Sequence, residues 1–113
     1  MKNVVLLGST GSIGTSTCKV AEDLPDRIRL VGLAAGANDA LLAEQTRQFK
    51  PAVISINDES KANGLRDAFG DDVAVHTGDA GLLELATMES ADIVLIAIVG
   101  TAGLQPALAA IRA

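Results

Sequence analysis

The chain has 113 residues, against about 100–200 for a typical domain, which leaves room for one domain and little for a second with its own core. Hydrophobic residues make up 49% of it and charged residues 20%, a composition that buries a core and excludes a disordered tail. Nine basic residues against 14 acidic give a net charge of −5, and Phe49 and Phe69 are the only aromatics. With neither a cationic footprint for a phosphate backbone nor a row of stacking rings, no nucleic-acid partner is expected.

After Met1, Lys2 and Asn3, only the short apolar run Val4 to Leu7 precedes a glycine-rich turn, too little for a secretory signal. The longest apolar run, Ile93 to Val99, is far below the ~18 residues that suggest a membrane span, so no membrane partner is expected either. A single cysteine, Cys18, cannot form an intramolecular disulfide, which fits a reducing compartment and makes the cytoplasm the expected setting.

Short, mostly β-branched or leucine-rich runs alternate with stretches of helical spacing. The expected strands are Val4–Leu7, Leu30–Ala34, Val53–Ile56, Val73–Val75 and Ile93–Ile98. Most are apolar throughout, as strands covered by helices on both faces tend to be. Thr17, Val20, Ala21 and Leu24 predict the inward stripe of a first helix that Pro25 ends, with Cys18 beside the stripe as a packing residue. Asp39 is the predicted N-cap of a second helix through Phe49, whose stripe is less regular. Asp58-Glu59 is a helix-start signal, and Ala62, Leu65 and Phe69 predict a third helix closed by Gly70. Asp79 is the expected cap of a fourth, with Leu82, Leu85 and Ala86 inward and Glu84 and Glu89 outward. A last stripe, Leu104, Ala107, Leu108 and Ile111, predicts a final helix that Ala113 ends with no cap. The expected fold is α/β: a Rossmann-like, doubly wound parallel sheet of about five βα units, cut off at its carboxyl end.

The sharpest signal follows the first strand, Gly8-Ser9-Thr10-Gly11-Ser12-Ile13-Gly14, where a strand turns into a helix inside a βαβ unit of about 30 residues. Gly8 permits a tight turn, Gly11 removes a side chain that would hold a pyrophosphate off the backbone, and Gly14 lets the helix pack close to the sheet. Amides of the first helical turn then face the phosphates, with the helix dipole favouring their charge. The spacing is GxxGxxG rather than GxGxxG; the reading is dinucleotide or nucleotide phosphate binding, against a purely structural glycine turn. The second strand ends in Ala34-Ala35-Gly36-Ala37-Asn38, with no acid before Asp39 to hold both ribose hydroxyls, which permits a 2′-phosphate. Ala37 supplies no positive charge, Asn38 can donate hydrogen bonds, and Asp39 reads as a cap rather than a ribose ligand. A second glycine turn, Val99-Gly100-Thr101-Ala102-Gly103, follows the fifth strand on the same edge and can border the nicotinamide half of a cofactor. His76 and the Asp71-Asp72 pair read as structural or solvated residues, and no catalytic residue or metal-ligand set stands out.

Gly8-Ser-Thr-Gly-Ser-Ile-Gly14, Ala34-Ala-Gly-Ala-Asn38 and Ala97-Ile-Val-Gly-Thr-Ala-Gly-Leu-Gln-Pro-Ala-Leu-Ala-Ala-Ile-Arg-Ala113 together resemble the 1-deoxy-D-xylulose 5-phosphate reductoisomerase family. The resemblance spans the chain but only the amino-terminal, NADPH-binding part of that longer family, so residues 1–113 would be its NADPH-binding domain. It implies an NADPH-dependent enzyme of non-mevalonate isoprenoid biosynthesis, a homodimer that isomerises 1-deoxy-D-xylulose 5-phosphate and reduces the resulting aldehyde to 2-C-methyl-D-erythritol 4-phosphate. Mg²⁺ or Mn²⁺ would hold the sugar-phosphate oxygens, on ligands beyond Ala113. Thr10, Gly11, Ser12 and Ile13 would line the NADPH phosphates. Gly36, Ala37 and Asn38 would meet the adenosine ribose and its 2′-phosphate, and Ala97, Ile98, Val99 and Gly100 would border the nicotinamide. The 113 residues alone would lack reductoisomerase activity. Two alternatives stand beside this reading: another NADP-dependent dehydrogenase, and a free-standing nucleotide-binding regulatory module.

Overall fold

The computed structural model describes residues 1–97. In chain order these form β1 (Lys2–Leu7), α1 (Ser12–Asp23), β2 (Ile28–Ala35), α2 (Asp39–Phe49), β3 (Val53–Ile56), α3 (Ala62–Phe69), β4 (Ala74–Thr77), α4 (Gly78–Ala86) and β5 (Ile93–Ile96). A short 3-10 turn, Glu59–Lys61, leads into α3 and another, Gly70–Asp72, leaves it. All strand pairs are parallel, in the order β4-β3-β2-β1-β5. The chain thus steps outward from β1 to β4, then crosses back to lay β5 on the other side of β1.

That reversal distributes the helices. Right-handed crossovers put the helices of the outward run on one face of a parallel sheet and the helix of the return on the other. On the first face, Cys18 and Ala21 of α1, Leu42 and Ala43 of α2, and Ala62 and Leu65 of α3 pack on Val4, Leu6, Leu33, Ile54 and Ile56. On the second, Leu82, Leu85 and Ala86 of α4 close over Val5, Leu7, Val31 and Ala34. The central strands are therefore buried on both sides, which is why they read as unbroken apolar runs. A register shift between Val4 and Val5 inserts one residue into β2, so Leu30 and Leu33 face the same way although three positions apart.

The expected strands are present with adjusted ends. The fourth lies at Ala74–Thr77 rather than Val73–Val75, which puts His76 within a strand instead of after it. The fifth was expected to reach Ile98, but that residue, the second glycine turn and the final helical stripe lie outside the described residues. The first helix is rotated from its predicted orientation. Its inward stripe is Gly14, Cys18 and Ala21, while Val20 and Leu24 are 47% and 42% exposed and Thr17 is half-buried. The reason lies at Gly14, where a Cβ would run into the Gly8 carbonyl oxygen and lie 2.7 Å from Ser9 Cα. Contact that close fixes the roll of the helix about its axis, and the residues at i+4 and i+7 from Gly14 follow it inward. Two predicted caps also move. Asn38, not Asp39, caps α2 by accepting the Leu41 N–H at 3.2 Å. Thr77 holds the N-cap position of α4 with no side-chain bond, Asp79 falls in the first turn, and Glu89 lies past the helix end.

Two glycines in helices separate packing from propensity. Gly14→Ala forces a methyl group into backbone and is expected to cost about 3 kcal/mol, whereas Gly64→Ala, on the exposed side of α3, meets nothing within 4 Å and is expected to gain about 0.5–1 kcal/mol. Urea unfolding of the two variants reads both signs. Burial pushes the Cys18 thiol up to about 11, so at neutral pH it stays protonated. Alkylation of Cys18 by iodoacetamide is expected to be slow in the folded chain and fast in denaturant.

Candidate functional site

The carboxyl ends of β1, β2 and β5 meet at the point where strand order reverses, the position at which open parallel sheets bind ligands. Out of β1, Gly8 takes φ 95, a conformation that favours glycine. Its N–H and that of Ser9 both donate to the Ala34 carbonyl at 2.8 Å, tying the turn to the end of β2. Gly11 then occupies the N-cap of α1 with no side-chain hydrogen bond, and the first intrahelical bond runs from the Thr15 N–H to the Gly11 carbonyl at 2.8 Å. The N–H groups of Ser12, Ile13 and Gly14 thus have no intrahelical acceptor, at the positive end of the helix dipole. Ser12 and Ile13 are exposed and Thr10 is half-buried.

Gly11 is not required by the protein's own packing. A Cβ there would make only ordinary contact, 3.7 Å from the Gly8 carbonyl oxygen. Gly36, after β2, would meet nothing within 4 Å and has no positive φ. Two glycines that the fold does not need leave bare backbone on the same edge of the sheet, the arrangement a bulky anionic ligand demands of the surface it approaches.

The turn after β2 is held from below. Asn57 and Asp58 N–H groups donate to the carbonyls of Ala35 and Gly36 at 2.9 and 3.0 Å, and Lys61 Nζ donates to the Ala37 carbonyl at 2.7 Å. Asn38 spends its Oδ1 on the helix cap, so its Nδ2 donors are not consumed by that bond. Asp39, weighed in the sequence as a ribose ligand, pairs instead with Lys61 at 3.4 Å. Hydrogen bonds from the Ser60 hydroxyl and N–H, with Lys61 nearby, hold the Asp58 carboxyl below the usual carboxylate range. Ala97 lies beside the glycine turn through its N–H bond to the Leu7 carbonyl, 2.7 Å; Ile98, Val99 and Gly100 lie outside the described residues.

One contributor to the turn was missed in the sequence. Gln45 of α2 is buried and donates from Nε2 to the Ser9 carbonyl at 2.8 Å. Because a trans peptide points its C=O and N–H in opposite directions, holding the Ser9 carbonyl toward α2 turns the Thr10 N–H away from it. The signal was present as an irregularity: Leu42, Gln45, Thr46 and Phe49 fall at i, i+3, i+4 and i+7, and two of the four are polar. Elsewhere the candidates separate. His76 sits in β4 and Asp71 and Asp72 in an exposed 3-10 turn, and among the described residues no group of three His, Cys, Asp or Glu side chains gathers as a metal site. Nor is any described helix long and apolar enough to cross a membrane. A cleft of about 510 Å³ floored by Ala21, Ile28, Leu30 and Phe49 opens at the other end of the sheet, away from the glycine turns. Gln45→Met keeps the side chain's length but strands the buried Ser9 carbonyl, and is expected to lower stability by about 1–3 kcal/mol in urea unfolding, with the Thr10 amide resonance among the most displaced.

A family model described as 1-deoxy-D-xylulose 5-phosphate reductoisomerase matches residues 4–113. The enzyme of that name from Synechococcus is 51% identical over 116 aligned positions, covering 100% of this chain and 29% of the relative. The one from Lachnospira eligens is 50% identical over 114 positions, covering 100% and 30%. Among solved structures, the reductoisomerase from Zymomonas mobilis in complex with NADPH superposes with a TM-score of 0.90 at 39% identity, over 98% of this chain and 29% of that one. A DOX-P reductoisomerase in complex with NADPH, fosmidomycin and magnesium gives a TM-score of 0.92 at 34% identity, over 97% and 28%. The chain spans under a third of the length of the relatives it matches. From the first glycine turn to its last residues, it belongs to the 1-deoxy-D-xylulose 5-phosphate reductoisomerase family.

Proposed function

We propose that this chain is the NADPH-holding part of a reductoisomerase that isomerises 1-deoxy-D-xylulose 5-phosphate and reduces the product to 2-C-methyl-D-erythritol 4-phosphate, an oxidoreductase step of isoprenoid biosynthesis. The observation that carries the reading is the uncapped first turn of α1 behind Gly8 and Gly11, open at the β1/β5 reversal. The relatives solved with NADPH support it. NADPH, when bound, supplies the hydride for the reduction. The chain's own residues do the holding. The N–H groups of Ser12, Ile13 and Gly14 receive the phosphates, Gly11 keeps the approach bare, Gly36 to Asn38 take the adenosine ribose, and Ala97 to Gly100 flank the nicotinamide. Residues 1–113 form the NADPH-binding domain on this reading. The sugar phosphate and the divalent metal belong, on this reading, to the rest of a full-length homodimer; this chain spans under a third of its relatives, one of which is solved with NADPH, fosmidomycin and magnesium. A cytoplasmic setting, without nucleic acid or membrane as partner, accords with the acidic charge of −5 and the single cysteine.

Titration with NADPH, NADH and ATP, followed by nicotinamide fluorescence and calorimetry, tests the site. NADPH is expected to bind most tightly. Gly11→Val, at a position where a Cβ would meet only the Gly8 carbonyl oxygen at 3.7 Å, is expected to weaken NADPH by about tenfold or more, and its urea midpoint, read alongside, separates a blocked site from lost stability. Selectivity for ATP would favour a nucleotide-sensing module, and unchanged NADPH affinity in Gly11→Val would remove the glycine turn from the site.

A further inference from the structure

The turn that would receive the 2′-phosphate has no cation of its own: Gly36, Ala37 and Asn38 are all uncharged, and Asp39 follows immediately. A carboxylate there disfavours a second anion nearby. The structure brings a cation in from elsewhere in the sequence. Lys61, at the end of the 3-10 turn after β3, lays its ammonium 2.7 Å from the Ala37 carbonyl oxygen and 3.4 Å from the Asp39 carboxylate. One of its three N–H donors goes to the Ala37 carbonyl, and Asp39 is an ion-pair partner rather than a hydrogen-bond acceptor, which leaves donors available. Its side chain is 39% exposed, so the ammonium is reachable from solvent.

We propose that Lys61 is the residue by which this chain recognises the 2′-phosphate of NADPH and rejects NADH, a reading that rests on the cofactor site proposed above. The ammonium acts twice. It cancels the Asp39 charge that would otherwise repel a phosphate, and it offers a charge-assisted hydrogen bond to a phosphate oxygen at the edge of the ribose turn. The other carboxylates nearby are occupied or turned away. Asp58 is committed to the Ser60 hydroxyl and N–H at 2.6 and 3.1 Å, and Glu59 Oε1 lies toward Gly78 at the start of α4. Asn38 Nδ2 is the neutral donor on the same turn. The position is held by geometry rather than chance, because Asp58 bonds back to the Gly36 carbonyl and caps the turn that carries Lys61. The lysine and the ribose turn are therefore fixed to one another through two backbone carbonyls, those of Gly36 and Ala37.

The experiment compares dissociation constants for NADPH and NADH in the parent chain, Lys61→Met, Lys61→Arg and Lys61→Met with Ala37→Lys, with unliganded thermal unfolding as the check on folding. Lys61→Met is expected to weaken NADPH by about tenfold or more and to change NADH by no more than about twofold. Lys61→Arg is expected to keep the preference, and Ala37→Lys to restore it by placing a cation on the same turn. Adenosine 2′-monophosphate should compete with NADPH in the parent chain and lose that ability in Lys61→Met. Equal weakening of NADPH and NADH would mean that Lys61 only ties two loops together, and unchanged NADPH affinity would remove it from the site; either overturns the proposal while leaving the cofactor site standing. A parent chain that binds both dinucleotides equally also overturns it, and one that binds neither overturns the reading beneath it.

Discussion

The carboxyl edge of this domain depends on a contact with no room in it. At Gly14 the first helix meets the turn that precedes it so closely that a single added carbon would collide with the Gly8 and Ser9 backbone. The contact decides which side of α1 faces the sheet, and hence that Gly14, Cys18 and Ala21 are buried while Ile13 is left 61% exposed. It also aims the open end of the helix at the β1/β5 reversal. Packing and binding meet in one residue, yet the neighbouring glycines divide the labour: Gly8 serves the turn, Gly14 serves the helix, and Gly11 serves neither.

Beneath the turn lies a polar layer in an otherwise apolar interface. Gln45, Thr46 and Ser9 are buried; Gln45 donates to the Ser9 carbonyl and Thr46 to the Leu42 carbonyl, while among the described residues the Ser9 hydroxyl and the Gln45 Oε1 have no partner. Buried polar groups of this kind weaken packing but fix orientation, since only a narrow set of geometries satisfies them. A turn that must present amides in defined directions is a reasonable place to accept that exchange.

Much of the fold was legible in the sequence because its determinants are local. Five apolar runs, turn residues after each, and helical spacing between them define a doubly wound sheet, and GxxGxxG at a strand-to-helix junction marks the phosphate end of the proposed site. What escaped was set by tertiary contact. The inner face of α1 could not be read from hydrophobicity, because Val20 and Leu24 are more apolar than the Gly14 that displaced them. The caps moved from Asp39 to Asn38 and from Asp79 to Thr77 because polar residues one or two positions apart could each begin the helix. Gln45 left only a blemish in a stripe, and Lys61, 24 positions from Ala37, left no trace at all.

The second helix has one more consequence. Asn38 stands at its start beside the turn that follows β2, and Gln45, two turns along, grips the glycine turn that follows β1. One stiff rod thus joins the two halves of the proposed cofactor site, and the Ala34 carbonyl, bonded to both Gly8 and Ser9, braces the same pair from the sheet side. A long, flexible ligand held at one end by such a frame finds its second anchorage at a fixed separation, so the second engagement is intramolecular and its effective concentration is set by the rigidity of the protein rather than by the ligand. Softening α2 anywhere between those two residues would cost the ligand avidity without removing a single contact to it.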